Sequence, residues 1–305
     1  MNDMRQHFTA RVRSGPDSPA DALDPDRREA ADIAHAAFAA PWRLREILDR
    51  FANRRRTEAE AELVSGWVPR LPALPVPDSL FDALWAIIDG AGGGRSALEF
   101  TQATAALGGQ LDPGFQAAQL AVSRDWPGVT EAAAQGWPEP FTLDQLAAAP
   151  RGSLAATFHD LIVDNGFDLE VLDREALSLR DLPAPLDYLN ARILQVHDLW
   201  HLVGGYRTTG LHEIAISAFQ LAQFGHAYSG FVLAVTLASA SADPTRYAIL
   251  SGVIAAAWRH GRTTPPLLGV DWPAIWDRPV ESVRDVLGVR AFESPWPADL
   301  FERAA

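Results

Sequence analysis

The sequence predicts an all-α protein, a multi-helix single domain. Three observations lead to this prediction: apolar residues recur at helical spacing, alternating strand patterns are almost absent, and glycine or proline stands where helical patterns stop. The 305 residues are 48% hydrophobic and 21% charged, which is ordinary for a soluble globular protein. Such a chain can bury a sizeable core without a disulfide or metal staple.

The first half of the chain is predicted to contain a tail and a helical region. Residues 1–24 combine Pro, Gly and Asp and are interpreted as a flexible tail. Helical spacing begins near residue 27, so an N-terminal helical region is assigned to 25–148. Within it, 68–78 carries four prolines and is predicted to be a stiff connector. The glycines of 90–94 follow an apolar helical pattern and are interpreted as its stop signal.

A long uncharged stretch occupies residues 214–242. These 29 residues contain no Asp, Glu or Arg, more than the ~20 residues that span a bilayer. Gln, Ser and His226 interrupt the stretch, so one or two buried helices are the preferred interpretation. An alternative is that the helices line an apolar cavity for a long hydrocarbon tail.

Arg54–Arg56 is interpreted as a solvated helix face, with lipid headgroup contact as the alternative.

The composition excludes several chemistries. The chain has no cysteine, so thiolate nucleophiles, Cys-ligated zinc and iron–sulfur clusters are impossible. All 26 basic residues are arginine, which excludes a Schiff-base lysine and a P-loop lysine. The net charge of −13 argues against nucleic acid as a partner. The polar N-terminus has no signal-peptide core, so a cytoplasmic protein is expected.

The segment 188–206 combines helical periodicity with metal-ligand residue types. At 100° per residue, His197, Asp198 and His201 occupy one sector of about 100° on this predicted helix. Gly204 and Gly205 end it, and Glu213 lies in the first turn of the next helical pattern. This helix–loop–helix therefore predicts a divalent-metal site with N and O ligands: His197, Asp198, His201 and Glu213.

The motif is specific enough to separate it from two other interpretations. An acid beside the first of two histidines spaced four apart is uncommon by chance in a chain with eight histidines. A purely structural Asp–His pairing is the alternative. The acid is an Asp directly after the first His, where a zinc protease of the HExxH type has Glu, which argues against that class.

The same residues resemble a known family. His197-Asp198-Leu199-Trp200-His201, eleven residues and then Glu213 match the HDxxH-(x)11-E signature of the ubiquinone (coenzyme Q) biosynthesis protein 4 family. The segments 150–168 and 256–289 also resemble that family. The resemblance covers a core of 149–290, is faint before it, and leaves 291–305 as a C-terminal tail.

The resemblance implies a function in ubiquinone biosynthesis. The implied reaction is a metal-dependent oxidative decarboxylation of a polyprenylated aromatic acid, in which hydroxyl replaces the ring carboxyl. It also implies an organising role among other ubiquinone-biosynthesis proteins and peripheral contact with a membrane, the inner membrane in a bacterium. Zinc is the implied metal, and Fe(II) equally suits two histidines and a carboxylate. Arg207, in the loop between the helices, is a candidate partner for the substrate carboxylate, with a solvent-facing arginine as the alternative.

Two other functions stay open from the sequence. A non-catalytic lipid-binding scaffold would hold a structural metal with four protein ligands. A metal-dependent phosphohydrolase would use the His159-Asp160 and His197-Asp198 dyads, but Glu213 has no place in that pattern. The sequence also leaves open whether the chain forms a homodimer.

Overall fold

A computed structural model describes residues 2–18, 22–66, 68–69, 71–90, 97–170 and 172–304. Over these residues the chain forms fourteen α-helices and no β-strand, which confirms the all-α prediction. The helices are α1 Asn2–Ser14, α2 Pro25–Phe38, α3 Leu44–Asn53, α4 Asp78–Gly90, α5 Ala97–Ala106, α6 Gly114–Ser123, α7 Val129–Ala133, α8 Leu143–Ala147, α9 Leu154–Asn165, α10 Leu186–Gly204, α11 Gly210–Phe224, α12 Ala227–Ala240, α13 Pro244–Thr263 and α14 Val280–Leu287.

Four helices, α2, α11, α12 and α13, form the centre of the core. Small residues let them approach closely: a Cβ at Gly261 of α13 would lie 2.7 Å from both Ala222 Cβ and the Phe219 carbonyl oxygen of α11. A Cβ at Gly230 of α12 would lie 3.7 Å from Ala37 Cβ of α2. The central position of α11 matters for function because this helix also carries Glu213.

The uncharged stretch lies in α11 and α12, which confirms the prediction of one or two buried helices. The break between them is Gly225, which has φ of +71° and lies against the Trp126 ring. A side chain there would meet both the backbone penalty of a left-handed residue and a steric clash. Among the helices of the described residues, none combines the length and apolar composition needed to cross a membrane.

The predicted flexible tail over 1–24 is wrong for residues 2–14, which form α1 and pack against α2. Phe8 and Val12, four residues apart on this helix, are almost fully buried. His35 Nδ1–H of α2 donates a hydrogen bond to the Val12 carbonyl oxygen at 2.7 Å. The apolar pair buried on α2 outweighs the polar composition of the segment.

The predictions for the arginine run at 54–56 and for the proline-rich connector at 68–78 can both be compared with the structure. Arg54 and Arg56 are exposed, which confirms that this run is solvated. The predicted helix face is wrong, because α3 ends at Asn53 and both Arg54 and Arg55 form ion pairs with Glu29 of α2. The described residues of 68–78 before Asp78 are irregular, as the prolines predicted, and α4 begins at Asp78. Residues 91–94 of the predicted glycine stop lie outside the described residues.

The C-terminal segment is not a free tail. Phe292 stacks on Tyr206 with ring centroids 4.6 Å apart, and its backbone N–H donates to the Gly204 carbonyl at 2.8 Å. Tyr206 in turn donates to His260 Nδ1 at 2.8 Å. Since aromatic burial fixes 292 against the turn after α10, the assignment of 291–305 as a tail is corrected for this part.

Candidate metal centre

The helix–loop–helix predicted from the sequence is formed by α10 and α11. Gly205, with φ of +77°, ends α10 in the left-handed conformation that glycine adopts without strain. Thr209 occupies the N-cap position of α11, but its hydroxyl donates to the Ala298 carbonyl instead of capping. The Glu302 carboxylate accepts the Gly210 N–H at 2.8 Å in its place. The C-terminal segment therefore fixes the start of the helix that presents Glu213.

Three donor groups converge between the two helices. The Nε2 atoms of His197 and His201 lie 3.2 Å apart. Glu213 Oε2 is 3.5 Å from His197 Nε2, and Glu213 Oε1 is 3.4 Å from His201 Nε2. A tetrahedral zinc with ligands at about 2.0–2.1 Å places its donor atoms roughly 3.3 Å apart. The observed separations therefore fit one metal ion held by two imidazoles and a carboxylate.

The fourth predicted ligand, Asp198, lies beside the same two histidines. Its carboxylate belongs to a cluster with His197 and His201 whose ligand atoms lie within 4.8 Å of one another. His201 is 1% exposed, whereas 31% of the His197 side chain and 47% of the Glu213 side chain are exposed. A metal at this point would thus be closed on the His201 side and open to solvent on the Glu213 side.

Electrostatics at the centre favour a cation. Burial alone would raise the pKa of Glu213, but hydrogen bonds and charge from His197 and His201 lower this pKa well below its usual value. Burial alone would lower the pKa of His197, but Glu213 and Asp198 raise it. Each shift reports that positive charge is stabilised between the rings and the carboxylate. A proton or a divalent metal supplies that charge.

Arg207 contacts the site through its backbone. The residue is exposed, and it is its backbone N–H that donates to His212 Nδ1 at 2.9 Å. Its guanidinium acts at a distance on Asp299, whose pKa is lowered mainly by a hydrogen bond from Arg303. The candidate role of Arg207 in pairing with a substrate carboxylate stays a prediction.

Sequence reasoning missed a polar chain behind the metal centre. Gln220 Nε2 lies 2.5 Å from His197 Nδ1, the ring nitrogen opposite the metal-facing Nε2. Ser229 Oγ is 3.4 Å from Gln220 Oε1 and 3.0 Å from His226 Nδ1. The spacing of Glu213 and Gln220, seven residues apart, puts both on one face of α11 and was the available signal. Burial, with a smaller contribution from His197, lowers the pKa of His226 to about 3, so this ring is neutral.

His212 was also missed, and it stabilises the loop. Its Nδ1 accepts the Arg207 N–H, so the proton of the neutral ring is on Nε2. Burial, followed by the charge of Arg207, lowers the pKa of His212. Within the described part of the chain, His212 Nε2 and His201 Nδ1 are both buried without a hydrogen-bond partner.

Two of the cavities in the described part of the fold bear on the predicted lipid-tail site. One of about 170 Å³ surrounds the Gly225 break and is mainly apolar, with lining residues that include Leu111, Phe115, Leu189, Phe224, His226 and Ala227. The other, of about 730 Å³, is a charged groove between α1 and α4. The smaller cavity is below the ~300 Å³ typical of ligand sites, so the predicted lipid-tail cavity stays a prediction.

The second His–Asp dyad is separate from this centre. His159 Nδ1 lies 3.2 Å from Asp160 Oδ1 on α9, and the pair is solvent-accessible. Within the described ranges, the cluster of metal-ligand atoms contains the α10 residues and not this dyad. The arrangement therefore does not bring the two dyads together as a phosphohydrolase site would require.

Similarity to known proteins identifies the family of this chain. The family profile described as coenzyme Q (ubiquinone) biosynthesis protein Coq4 matches residues 137–293, slightly more than half of the chain. The chain belongs to the Coq4 family. The matched segment contains all four candidate ligands and the polar chain from Gln220 to His226, and it starts before the core predicted over 149–290.

Curated members of the Coq4 family share about half of their length with this chain. The mitochondrial ubiquinone biosynthesis protein COQ4 homolog of Drosophila ananassae is 30% identical over 148 residues, which is 47% of this chain and 53% of that protein. The mitochondrial coq4 protein of Talaromyces stipitatus is 28% identical over 188 residues, 59% of this chain and 57% of that protein. The chain spans about half the length of such relatives.

A solved structure shows the same fold. The crystal structure of a provisionally named ubiquinone biosynthesis protein from Nostoc punctiforme is similar to this chain with a TM-score of 0.52 and 24% sequence identity. The match covers 70% of this chain and 98% of that one. The likeness supports the arrangement of helices that positions the α10–α11 site.

Proposed function

We propose that this protein acts in ubiquinone biosynthesis as a metal-dependent enzyme on a polyprenylated aromatic acid. The supporting observation is the convergence of His197 Nε2, His201 Nε2 and the Glu213 carboxylate at separations of 3.2–3.5 Å. Membership of the Coq4 family points to the pathway. The exposed side of the centre leaves room for a substrate group, which a four-ligand structural site would not.

The proposed reaction replaces the ring carboxyl by hydroxyl with loss of carbon dioxide. Its balance requires an oxidant: the acid and dioxygen, with two electrons and two protons from a reductant, give the phenol, carbon dioxide and water. A bound divalent metal would supply Lewis acidity for the substrate carboxylate or phenolate. Zinc is the metal implied by the family resemblance, and Fe(II) suits the same two-histidine, one-carboxylate set.

The candidate site residues would have different roles in this reaction. His197 and His201 fix the direction of approach, since both project from the rigid α10 helix. Glu213 closes the set from α11 and balances the metal charge. Asp198 can serve as a further ligand or as a proton acceptor at the rim, and Arg207 would pair with the substrate carboxylate from the loop. Hydrocarbon would lie near the apolar cavity at Ala227.

Partners and location follow from this substrate. A polyprenylated substrate resides in a membrane, so we propose peripheral contact with the membrane and with other ubiquinone-biosynthesis proteins. The ion pairs of Arg54 and Arg55 with Glu29 offset part of the positive charge of that run. Contact is therefore proposed to rest on apolar surface more than on anionic lipid, which repels a chain of charge −13.

The test replaces the chromosomal gene with the His197→Ala/His201→Ala variant and measures quinone precursors by mass spectrometry. We expect a prenylated ring that still bears its carboxyl to accumulate. His159→Ala, on the exposed dyad of α9, is the matched control and should give normal ubiquinone. Circular dichroism must show that both variants fold, and elemental analysis identifies the metal lost from the double variant. Normal ubiquinone in the folded, metal-free double variant would favour the lipid-binding scaffold instead.

A further inference from the structure

The hydrogen bonds that connect His197, Gln220, Ser229 and His226 can have either of two donor-to-acceptor directions. The distances from His197 Nδ1 through Gln220 and Ser229 to His226 Nδ1 fix the heavy atoms, but a half turn of the Gln220 amide exchanges its donor and acceptor. In one direction the Gln220 NH₂ donates to His197 Nδ1. In the other, His197 Nδ1–H donates to the Gln220 carbonyl oxygen.

Metal binding permits only the second direction. A histidine that binds a metal through Nε2 uses the lone pair of that nitrogen, so its proton must be on Nδ1. Nδ1–H then needs an acceptor, and Gln220 Oε1 is the acceptor that the amide can offer at this position. Such an outer partner fixes the ring orientation and the tautomer of a metal-bound histidine.

The donor-to-acceptor order at Gln220 also determines which nitrogen of His226 carries its proton. With Oε1 turned to His197, the Gln220 NH₂ faces Ser229 Oγ and donates to it. Ser229 is fully buried, so its own hydroxyl proton needs an acceptor, which is His226 Nδ1 at 3.0 Å. The His226 proton is then on Nε2, the nitrogen left for a ligand in the apolar cavity that His226 lines.

We propose that Gln220 is a positioning residue for the metal centre. Its carbonyl oxygen accepts from His197 Nδ1–H, and its NH₂ donates to Ser229, whose hydroxyl donates in turn to His226. The inference rests on the metal site proposed above. It deepens that site by assigning the apolar cavity a hydrogen-bond donor, His226 Nε2–H. A ligand suited to it is apolar and carries an acceptor oxygen.

The first measurement is Zn²⁺ affinity, by competition with a chromophoric chelator. Q220L removes the acceptor while keeping the size of the side chain, and should weaken Zn²⁺ binding by about 10- to 100-fold. Q220E restores an acceptor oxygen and should bind Zn²⁺ at least as tightly as wild type. S229A, one hydrogen bond farther out, should stay within about threefold, as the effect of an outer contact falls with distance.

The outcomes separate the two proposals. Wild-type affinity in Q220L, with binding lost in His197→Ala, would overturn the role of Gln220 alone. Equal Zn²⁺ affinity in wild type and His197→Ala, or no binding by wild type, would overturn the metal site and the inference with it. Rescue by Q220E distinguishes positioning from general destabilisation, because a merely structural role would not require an acceptor oxygen.

A second measurement needs no variant at Gln220. Long-range ¹H–¹⁵N spectra of the histidine-labelled wild-type protein with Zn²⁺ report which ring nitrogen carries the proton. We expect protonated Nδ1 at His197 and protonated Nε2 at His226, with the His226 preference weakened in S229A. Protonated Nδ1 at His226 in the Zn²⁺-loaded protein would overturn the proposed direction of the chain.

Discussion

Gly261→Ala should destabilise the protein because α11 and α13 touch at this glycine. The added Cβ would lie 2.7 Å from Ala222 Cβ and 2.7 Å from the Phe219 carbonyl oxygen. Both separations are far inside the 3.5–4.0 Å optimum for carbon contacts. Overpacking costs about 1–3 kcal/mol, and the helix propensity of alanine returns at most ~1 kcal/mol. We expect a net loss of about 1 kcal/mol in the free energy of unfolding, the middle of the range that these two figures leave.

The site should respond as well as the fold. Because one clashing atom belongs to the α11 backbone, a side-chain rotation cannot relieve the contact, and α11 must shift together with Glu213 and Gln220. Urea unfolding followed by tryptophan fluorescence gives the stability, and chelator competition gives the Zn²⁺ affinity, which should fall by several-fold.

Gly252→Ala on the same helix is the matched control. The nearest atom to its Cβ would be Trp296 Nε1 at 3.4 Å, an ordinary contact. This variant should gain about 0.5–1 kcal/mol from helix propensity and keep its Zn²⁺ affinity. If Gly261→Ala unfolds at the same urea concentration as Gly252→Ala, the close approach of α11 and α13 is not the constraint described above.

Three other perturbations test separate parts of the molecule. In urea unfolding, Asp49→Ala should lower the free energy of unfolding by about 3 kcal/mol, because Arg262 loses a buried partner. Asp78→Ala, which removes an exposed ion pair, is the control and should change this free energy by less than about 1 kcal/mol. Burial lowers the pKa of His260 to about 4, so the unfolded chain gains a proton first and stability is lost as pH falls from roughly 6.5 to 4. His260→Phe should remove about 2 kcal/mol of the difference in unfolding free energy between pH 7 and 4.5, and an unchanged difference would contradict this. Ala227→Phe should weaken the binding of farnesol, used as a prenyl probe, at least tenfold without changing Zn²⁺ affinity; unchanged farnesol binding would argue against a hydrocarbon site at the cavity.

The metal-ligand helix could be predicted from the sequence because its information is local. Helical period places His197 and His201 one turn apart, and a left-handed glycine ends the helix whatever packs around it. The position of Glu213 in the first turn of α11 follows from the restart of the same period after the loop. Spacing within two adjacent helices was therefore sufficient to assemble the candidate ligands.

Long-range pairing accounts for what the sequence did not indicate. The composition of the first 24 residues favours a tail, yet Phe8 and Val12 are buried against a helix that begins at Pro25. Arg54 and Arg55 pair with Glu29, 25 and 26 residues away, instead of with acids on their own helical turn. Charge patterns specify i,i+4 partners only where a helix continues, and α3 ends at Asn53.

The packing of α11 supports the proposal that a metal bound between α10 and α11 is catalytic and not structural. A structural metal holds together elements that would otherwise separate, and its loss unfolds them. Here α11 is already fixed by its close contact with α13 at Gly261 and by the Glu302 carboxylate at its first turn. The core does not need an ion to keep Glu213 opposite the α10 histidines. A metal bound at the proposed site could therefore be exchanged or left partly open to a substrate without loss of the fold, which is why the His197→Ala/His201→Ala variant is expected to stay folded.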